Sequence, residues 1–428
     1  MKIQKQTKNT MTVISIAIAV VLIPFIWRTL LGNTSIPGVY SYIHMARVSN
    51  IPTLYMQIVM IAAVIAQIFL LYRLLKIHTN DTTYHYFTLL MLAAAPATIA
   101  LSAFVTPYGI ALAAVLLCLN LMHTKIEKAA FLPLIILLWT DWISIICSII
   151  IVNCYAVFSK KTNIYNIVAS VILVIAGILM HLPLSLEITQ NSILREVLSD
   201  FGGLYGISLF AILMSCIGLV VSWNYKRKIV PAHIAIVLMS AMTAVSPTAL
   251  LFLSPILVLF AAYALKYFWD REWSLPFIRS LTLLVIVYGI LFSSIAAVYT
   301  IAEMPPSNEV IESVKWLSNN PFYSTSIILS HAEKGYWLGY GTVTPFITYG
   351  DENYEKKLNV TNEIFLSGEY KKTIQLLKEN KIELIWIDQP MKNGQVWTSN
   401  DEGLLYFFSD PRFLKIYDSE GIEIWRFK

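Results

Sequence analysis

The first 80 residues contain no aspartate or glutamate. Charged residues make up only 13% of the 428 positions, where soluble proteins carry about 25%. A carboxylate-based site in the first loop is thereby excluded, and so is an ordinary water-soluble globule. Cysteine is scarce as well. Cys118, Cys147, Cys154 and Cys216 all lie in apolar runs, so the C-terminal part has no disulfide and no thiolate metal site. There is no internal repeat and no low-complexity tract.

What is present is unevenly divided. Residues 1–302 hold 18 Lys+Arg and 8 Asp+Glu, a net of +10, whereas residues 303–428 hold 13 and 18, a net of −5. The boundary predicts a helical membrane domain at 1–302 and a small soluble domain at 303–428. A hydrocarbon core of about 30 Å needs roughly 20 apolar residues per helix. That rule places spans at 12–31, 55–75, 86–105, 107–123, 164–183, 204–223, 231–245, 248–267 and 280–301. The run 129–158 is interrupted by Thr140-Asp141-Trp142. It reads as two short spans, 129–140 and 143–158, forming a hairpin that falls short of the full width. The expected total is about eleven. Lys2, Lys5 and Lys8 resemble a signal-peptide start, but the apolar run behind them is too long, and a retained anchor is expected.

With eleven spans, fifteen basic residues sort to one side and only Arg28, Arg47 and Arg195 to the other. The positive-inside rule then puts the N-terminus in the cytoplasm and the C-terminal domain outside. Those cations belong to cytoplasmic loops, so the basic balance implies no nucleic-acid partner. The outer loops 32–54 and 184–203 are long enough for helices lying on the membrane surface.

From Pro305 the pattern changes to that of a small α/β domain. Helices are expected at 308–319, 369–380 and 402–408, and strands at 325–330 and 383–388. A closing hairpin is expected from 412–417 and 421–427. Asn33-Thr34-Ser35 and Asn359-Val360-Thr361 match the glycosylation acceptor pattern on the outer side.

Gly38, Tyr42, His44, Ala46 and Arg47 in the first outer loop, with Trp316-Leu317, Pro321, Ile327–Ser330 and Gly335-Tyr336-Trp337 further on, resemble the C-type (GT-C) membrane glycosyltransferases. Among these the oligosaccharyltransferases are the nearest in kind. Asp200-Phe201-Gly202-Gly203 adds a likeness to uncharacterised archaeal members. The resemblance implies a many-span bundle with an outer domain, and a sugar donor linked to a polyprenyl phosphate. Two departures stand out. The family's loop acid, which holds a metal ion or takes a proton, is absent, with Val39 and Tyr40 in its neighbourhood. Its Trp-Trp-Asp acceptor motif is replaced by His331-Ala332-Glu333-Lys334.

Asp141, inside an apolar stretch, becomes the leading candidate for chemistry, and a helix cap beside Trp139 and Trp142 is the plain alternative. Glu187, Arg195, Glu196 and Asp200 could bind phosphate or move a proton, or they could be the charges of a solvated interfacial helix. His44 and Arg47, three apart, would share a helix face toward a lipid phosphate, or anchor the loop at the headgroups. Glu187, Asp141 and Asp200 are thus the candidate catalytic acids, and His44, Arg47 and Arg195 the candidate phosphate ligands. No metal ligand set and no cofactor is assigned. Membrane lipid and a polyprenyl-phosphate-linked sugar are the expected partners. The competing reading is a non-enzymatic surface protein whose outer domain binds a partner or glycan.

Overall fold

The computed structural model describes residues 2–31, 53–161, 164–180, 197–201, 206–223, 226–323, 325–340, 343–348, 353–399, 402–419 and 421–428. The chain divides into two compact units. Of the described residues, one comprises those of 1–31 and 51–303, the other those of 304–428.

The first unit is all helical. Its helices are α1 (Lys2–Leu30), α2 (Thr53–His78), α3 (Thr82–Ala94), α4 (Pro96–Ala103), α5 (Tyr108–Leu121), α6 (Trp142–Phe158), α7 (Ile164–Met180), α8 (Leu209–Ser222), α9 (Lys226–Thr243), α10 (Ala249–Asp270) and α11 (Pro276–Glu303). Among the described residues four helices are long and apolar enough to cross a membrane, or five when α3 and α4 count as one bent span. That pair turns through 56°. The bend follows from Pro96, which cannot donate to the α3 ladder and pushes Ala95 to extended angles (φ −67°, ψ 128°). The other apolar helices are shorter.

The outward faces fit lipid and not water. On α11, Leu281, Leu284, Tyr288, Phe292, Ile295 and Tyr299 form an exposed stripe at helical spacing, while Ile286, Ser293 and Val298 are buried. Such a stripe is costly in water and neutral against hydrocarbon tails.

Side-chain contacts give the helix directions. Gln67 donates to the Gly109 carbonyl at 2.8 Å, and farther along the same two helices Asn120 donates to the Leu70 carbonyl at 2.9 Å. The helices α2 and α5 are therefore parallel. So are α8 and α10, because the Ser215 hydroxyl donates to the Leu257 carbonyl at 2.8 Å and Gly218 sits on the Phe260 backbone. A Cβ at 218 would overlap the Phe260 carbonyl, so only glycine permits this approach.

The hairpin expected at 129–158 has an unequal form. Its second arm is α6, while its first is a 3-10 helix, Leu132–Trp139. Three residues per turn puts Leu134 and Leu137 together on the buried face and Leu132 and Ile135 together on the exposed one. Eight residues at about 2 Å each reach only about 16 Å, which agrees with an arm too short to cross. The loops 32–54 and 184–203 lie almost wholly outside the described residues.

The second unit is a five-stranded sheet with helices. Its elements are α12 (Asn308–Asn319), β1 (Ile327–Leu329), α13 (Gly335–Tyr340), β2 (Thr344–Pro345), α14 (Tyr354–Leu366), α15 (Tyr370–Glu379), β3 (Ile382–Asp388), β4 (Phe413–Ser419) and β5 (Ile422–Phe427). The order is β2-β1-β3-β5-β4; the first three are parallel, and β5 runs antiparallel to both β3 and β4. In β3 (IELIWID) only Glu383 is exposed, the pattern of a strand covered on both faces. Ile385 and Ile387 join a core with Ile374 and Leu377, and Trp386 donates its indole N–H to the Ser313 hydroxyl of α12 at 3.1 Å. The expected elements at 308–319, 325–330, 369–380, 383–388 and the closing hairpin are all present, and 402–408 is a 3-10 helix, Gly403–Ser409. The helices α13 and α14 were not expected. Asn359-Val360-Thr361 lies inside α14, with Asn359 exposed and Thr361 buried.

Candidate functional site

Two of the three candidate acids fall among the described residues, and both lie at the same end of the helical bundle. Asp141 ends the 3-10 arm and caps α6. Its backbone is extended (φ −76°, ψ 160°), and its Oδ1 accepts the Ser144 N–H at 2.9 Å. This follows from local chemistry, since an aspartate just before a helix satisfies one of the orphaned first-turn donors. Its second oxygen accepts the Thr248 hydroxyl at 3.1 Å. Thr248 immediately precedes α10, so Asp141 joins the start of α6 to the start of α10.

Asp200 lies in a short 3-10 turn, Ser199–Phe201, that returns to α8 through a single parallel bridge, Leu198 with Ile207. Its Oδ2 accepts the N–H of Leu209, the first residue of α8, at 2.6 Å. Its Oδ1 is shielded from solvent and has no hydrogen-bond partner among the described residues. A shielded carboxylate oxygen left without a partner is costly, and among the described residues Asp200 is an acceptor with capacity left over. Because α8 and α10 are parallel and both begin here, Asp200 and Asp141 belong to one end of the bundle.

The same end holds Arg28. Its guanidinium, almost wholly buried, donates to the carbonyls of Ile301 at 3.3 Å and Ala302 at 2.8 Å, in the last turn of α11. A cation there satisfies orphaned carbonyls and the negative end of the helix dipole. Ser208 donates to Ser293 at 2.9 Å, joining the start of α8 to α11. Thr248 and Arg28 were not singled out from the sequence. Nothing local marks Thr248, while Arg28 was legible as the one cation inside the first long apolar run.

Glu187, Arg195, His44 and Arg47 lie outside the described residues, as do Glu196, Val39 and Tyr40. The resemblance implied a metal at a loop acid. The first loop has no carboxylate, and among the described residues no three His, Cys, Asp or Glu side chains gather as ligands. A hard divalent ion takes oxygen ligands, one or two of them carboxylates. Among the described residues the donors form no such set.

In the second unit the ends of β1 and β3 form a separate polar cluster. This is the crevice where a parallel sheet reverses its winding, with β2 on one side of β1 and β3 on the other. Lys334 and Asp388 pair there at 2.7 Å, both nearly buried. Asp388 also accepts the Met391 N–H at 3.1 Å, and the Lys334 ammonium lies 5.4 Å from the Trp337 ring centre. Gln395 donates to Glu333 at 2.7 Å, and its side chain also lies 3.3 Å from the His331 ring. Burial lowers the His331 pKa below the usual histidine value, and Lys334 lowers it further, against the opposing pull of Glu333 and Asp388. Every charge in this cluster has a local partner, so it reads as architecture.

No protein-family model and no curated protein matches this chain. Solved structures do. The oligosaccharyltransferase of Archaeoglobus fulgidus in its apo form aligns with a TM-score of 0.57 at 12% identity, over 98% of this chain and 74% of that one. The archaeal oligosaccharyltransferase AglB from the same organism, solved with an inhibitory peptide and a dolichol-phosphate, gives 0.57 at 10% identity, over 89% and 69%. ArnT from Cupriavidus metallidurans bound to undecaprenyl phosphate gives 0.52 at 8% identity, over 98% of both chains. At such identities the likeness is one of fold, and the fold is that of the GT-C glycosyltransferases.

Proposed function

We propose that this protein is a membrane glycosyltransferase that takes its sugar from a polyprenyl-phosphate donor at the bundle end carrying Asp141 and Asp200. The observation that carries this is the shielded Oδ1 of Asp200 at that end, which has no partner among the described residues, within a fold shared with structures solved with dolichol-phosphate and undecaprenyl phosphate.

In this reading eleven apolar segments enter the membrane, α1, α2, the α3–α4 pair, α5, the 3-10 arm and α6 to α11, of which the arm and α6 form a hairpin that falls short of the full width and returns to the side it came from. The N-terminus is cytoplasmic, the C-terminal domain is outside, and both acids lie toward the outer side. Asp200 is the general base that takes the proton from the acceptor as the bond to the sugar forms, and the phosphate of the donor leaves with the electron pair. Asp141 positions the start of α10. Glu187 assists proton transfer, and His44, Arg47 and Arg195 hold the phosphate, Arg as a bidentate donor.

A second reading has its own support. Both carboxylate oxygens of Asp141 are already engaged in capping, as in a bundle that anchors a surface domain without catalysis. Purified protein with a radiolabelled polyprenyl-phosphate sugar separates the two. Label transferred by the wild type and lost in Asp200→Asn supports the transferase. Equal counts in wild type, Asp200→Asn and a boiled control would leave the anchor.

A further inference from the structure

From the opposite end of the bundle, where α2, α5, α6 and α10 finish, a cavity of about 620 Å³ runs inward as far as Phe252 in the first turn of α10. Its walls are apolar, with Leu74, Val115, Ala235 and Phe252 among them, and its lining along α10 runs from Phe252 to Lys266. Those fourteen steps at 1.5 Å make a depth of about 21 Å. Taking the ~30 Å³ share of a water molecule as a unit, the volume holds about twenty atoms of methylene size. That accommodates a hydrocarbon chain of lipid length.

Polar groups gather where the helices end. The Lys266 ammonium lies 3.0 Å from Asp81 and 2.5 Å from Asp270, so its charge is already more than matched. The other side of the opening differs. The Tyr155 hydroxyl lies 2.6 Å from Nε2 of His78 and 2.6 Å from Nε2 of His123. A phenol has one proton to give. One imidazole therefore accepts at Nε2 and carries its own proton on Nδ1, while the other donates from Nε2. The Nδ1 atoms of both rings have no hydrogen-bond partner among the described residues. The group thus offers at least one ring N–H, and Lys161, paired with Glu127 at 3.2 Å, stands beside His123. An apolar cavity with a few convergent polar groups is the usual form of a small-molecule site.

We infer that this cavity binds a single-chain anionic amphiphile, its hydrocarbon tail between α2, α5, α6, α9 and α10 and its phosphate or carboxylate head at His78, Tyr155 and His123. This site is separate from the acid-bearing end and stands whether or not the chain transfers sugar.

The test uses the full-length protein in detergent, with melting temperature followed against geranylgeranyl phosphate, oleoyl lysophosphatidate, oleate and, as the uncharged control, geranylgeraniol. Saturable stabilisation by the charged probes is expected, with affinity about tenfold above that for the alcohol, as a charge-assisted hydrogen bond provides. Which charged probe binds tightest separates an isoprenoid source from an acyl one. Ala235→Phe and Ala232→Phe fill the cavity and should weaken binding about tenfold or more, since a packed interior resists added volume. Asp200→Asn, at the other end, should bind like wild type. Unchanged affinity in both phenylalanine variants, or loss of binding in Asp200→Asn, overturns the proposal. If neither phenylalanine variant folds, Tyr155→Phe decides. It should erase the preference for charged probes over the alcohol, and a preference that persists sinks the head assignment.

Discussion

Asp141 and Thr248, 107 positions apart, share a hydrogen bond of 3.1 Å that ties the start of α6 to the start of α10. With Ser144 on its other oxygen, Asp141 is a cap that reaches across to a neighbouring helix. Asp141→Ala should cost about 1 to 2 kcal/mol, the range of a lost N-cap. Thr248→Val should cost less, and the double variant should be milder than the sum, because contacting residues couple. Melting curves of the four proteins in detergent measure this. Strict additivity would show that the bond contributes nothing.

Asp200→Asn tests the proposed base. Loss of a general base costs about 10² to 10⁴ in rate, with little change in melting temperature, because asparagine still accepts the Leu209 N–H. Initial rates at saturating donor are the readout. A drop in rate that merely tracks a drop in folded fraction would reduce Asp200 to a helix cap.

Lys334 and Asp388 form the buried pair of the second unit. Breaking one side, as in Lys334→Met, should destabilise by about 3 to 5 kcal/mol, because it strands a charge away from water. Replacing both, with Asp388→Leu added, should recover most of that loss. Tryptophan fluorescence follows it, since Trp337 lies against the pair.

Acid should loosen the β4–β5 hairpin. Burial pushes the Glu423 pKa up, but hydrogen bonds from Lys392, Lys415 and the Trp425 indole outweigh it and hold the group below the ordinary carboxylate value. A carboxylate depressed on folding stabilises the folded state above its unfolded pKa of about 4, and that stability disappears as pH falls through the lower folded value. Urea melts taken between neutral pH and acid should show the decline, and Glu423→Gln should flatten it. An unaltered slope in that variant would assign the effect elsewhere.

Gly218→Val places a branched side chain against the Phe260 backbone. The helices α8 and α10 must then separate, and a fall in melting temperature beyond that of Gly218→Ala is expected, in line with over-packing costs of about 1 to 3 kcal/mol.

Much of this architecture was legible beforehand, for physical reasons. Lipid-length apolar runs announce themselves, and β3 and the closing hairpin carry strand patterns between turn residues. The helix α14 escaped because its buried stripe runs through Thr361 between Leu358 and Ile364, and a threonine in an acceptor triplet reads as surface. Asp141 was visible as a cap or a site, since an acid in an apolar run can hardly be neither. Its partner Thr248 and the bond from Leu209 to Asp200 were not. Both depend on helix ends brought together over long sequence distances, which no local periodicity encodes.

The sheet of the second unit is blunt at both rims. On one side β2 is only two residues long, and on the other β4 carries Lys415 and an irregular register between Lys415 and Tyr417. Short, charged or bulged margins discourage another chain from adding itself as a further strand. Molecules carrying this domain can therefore crowd together without zipping edge to edge.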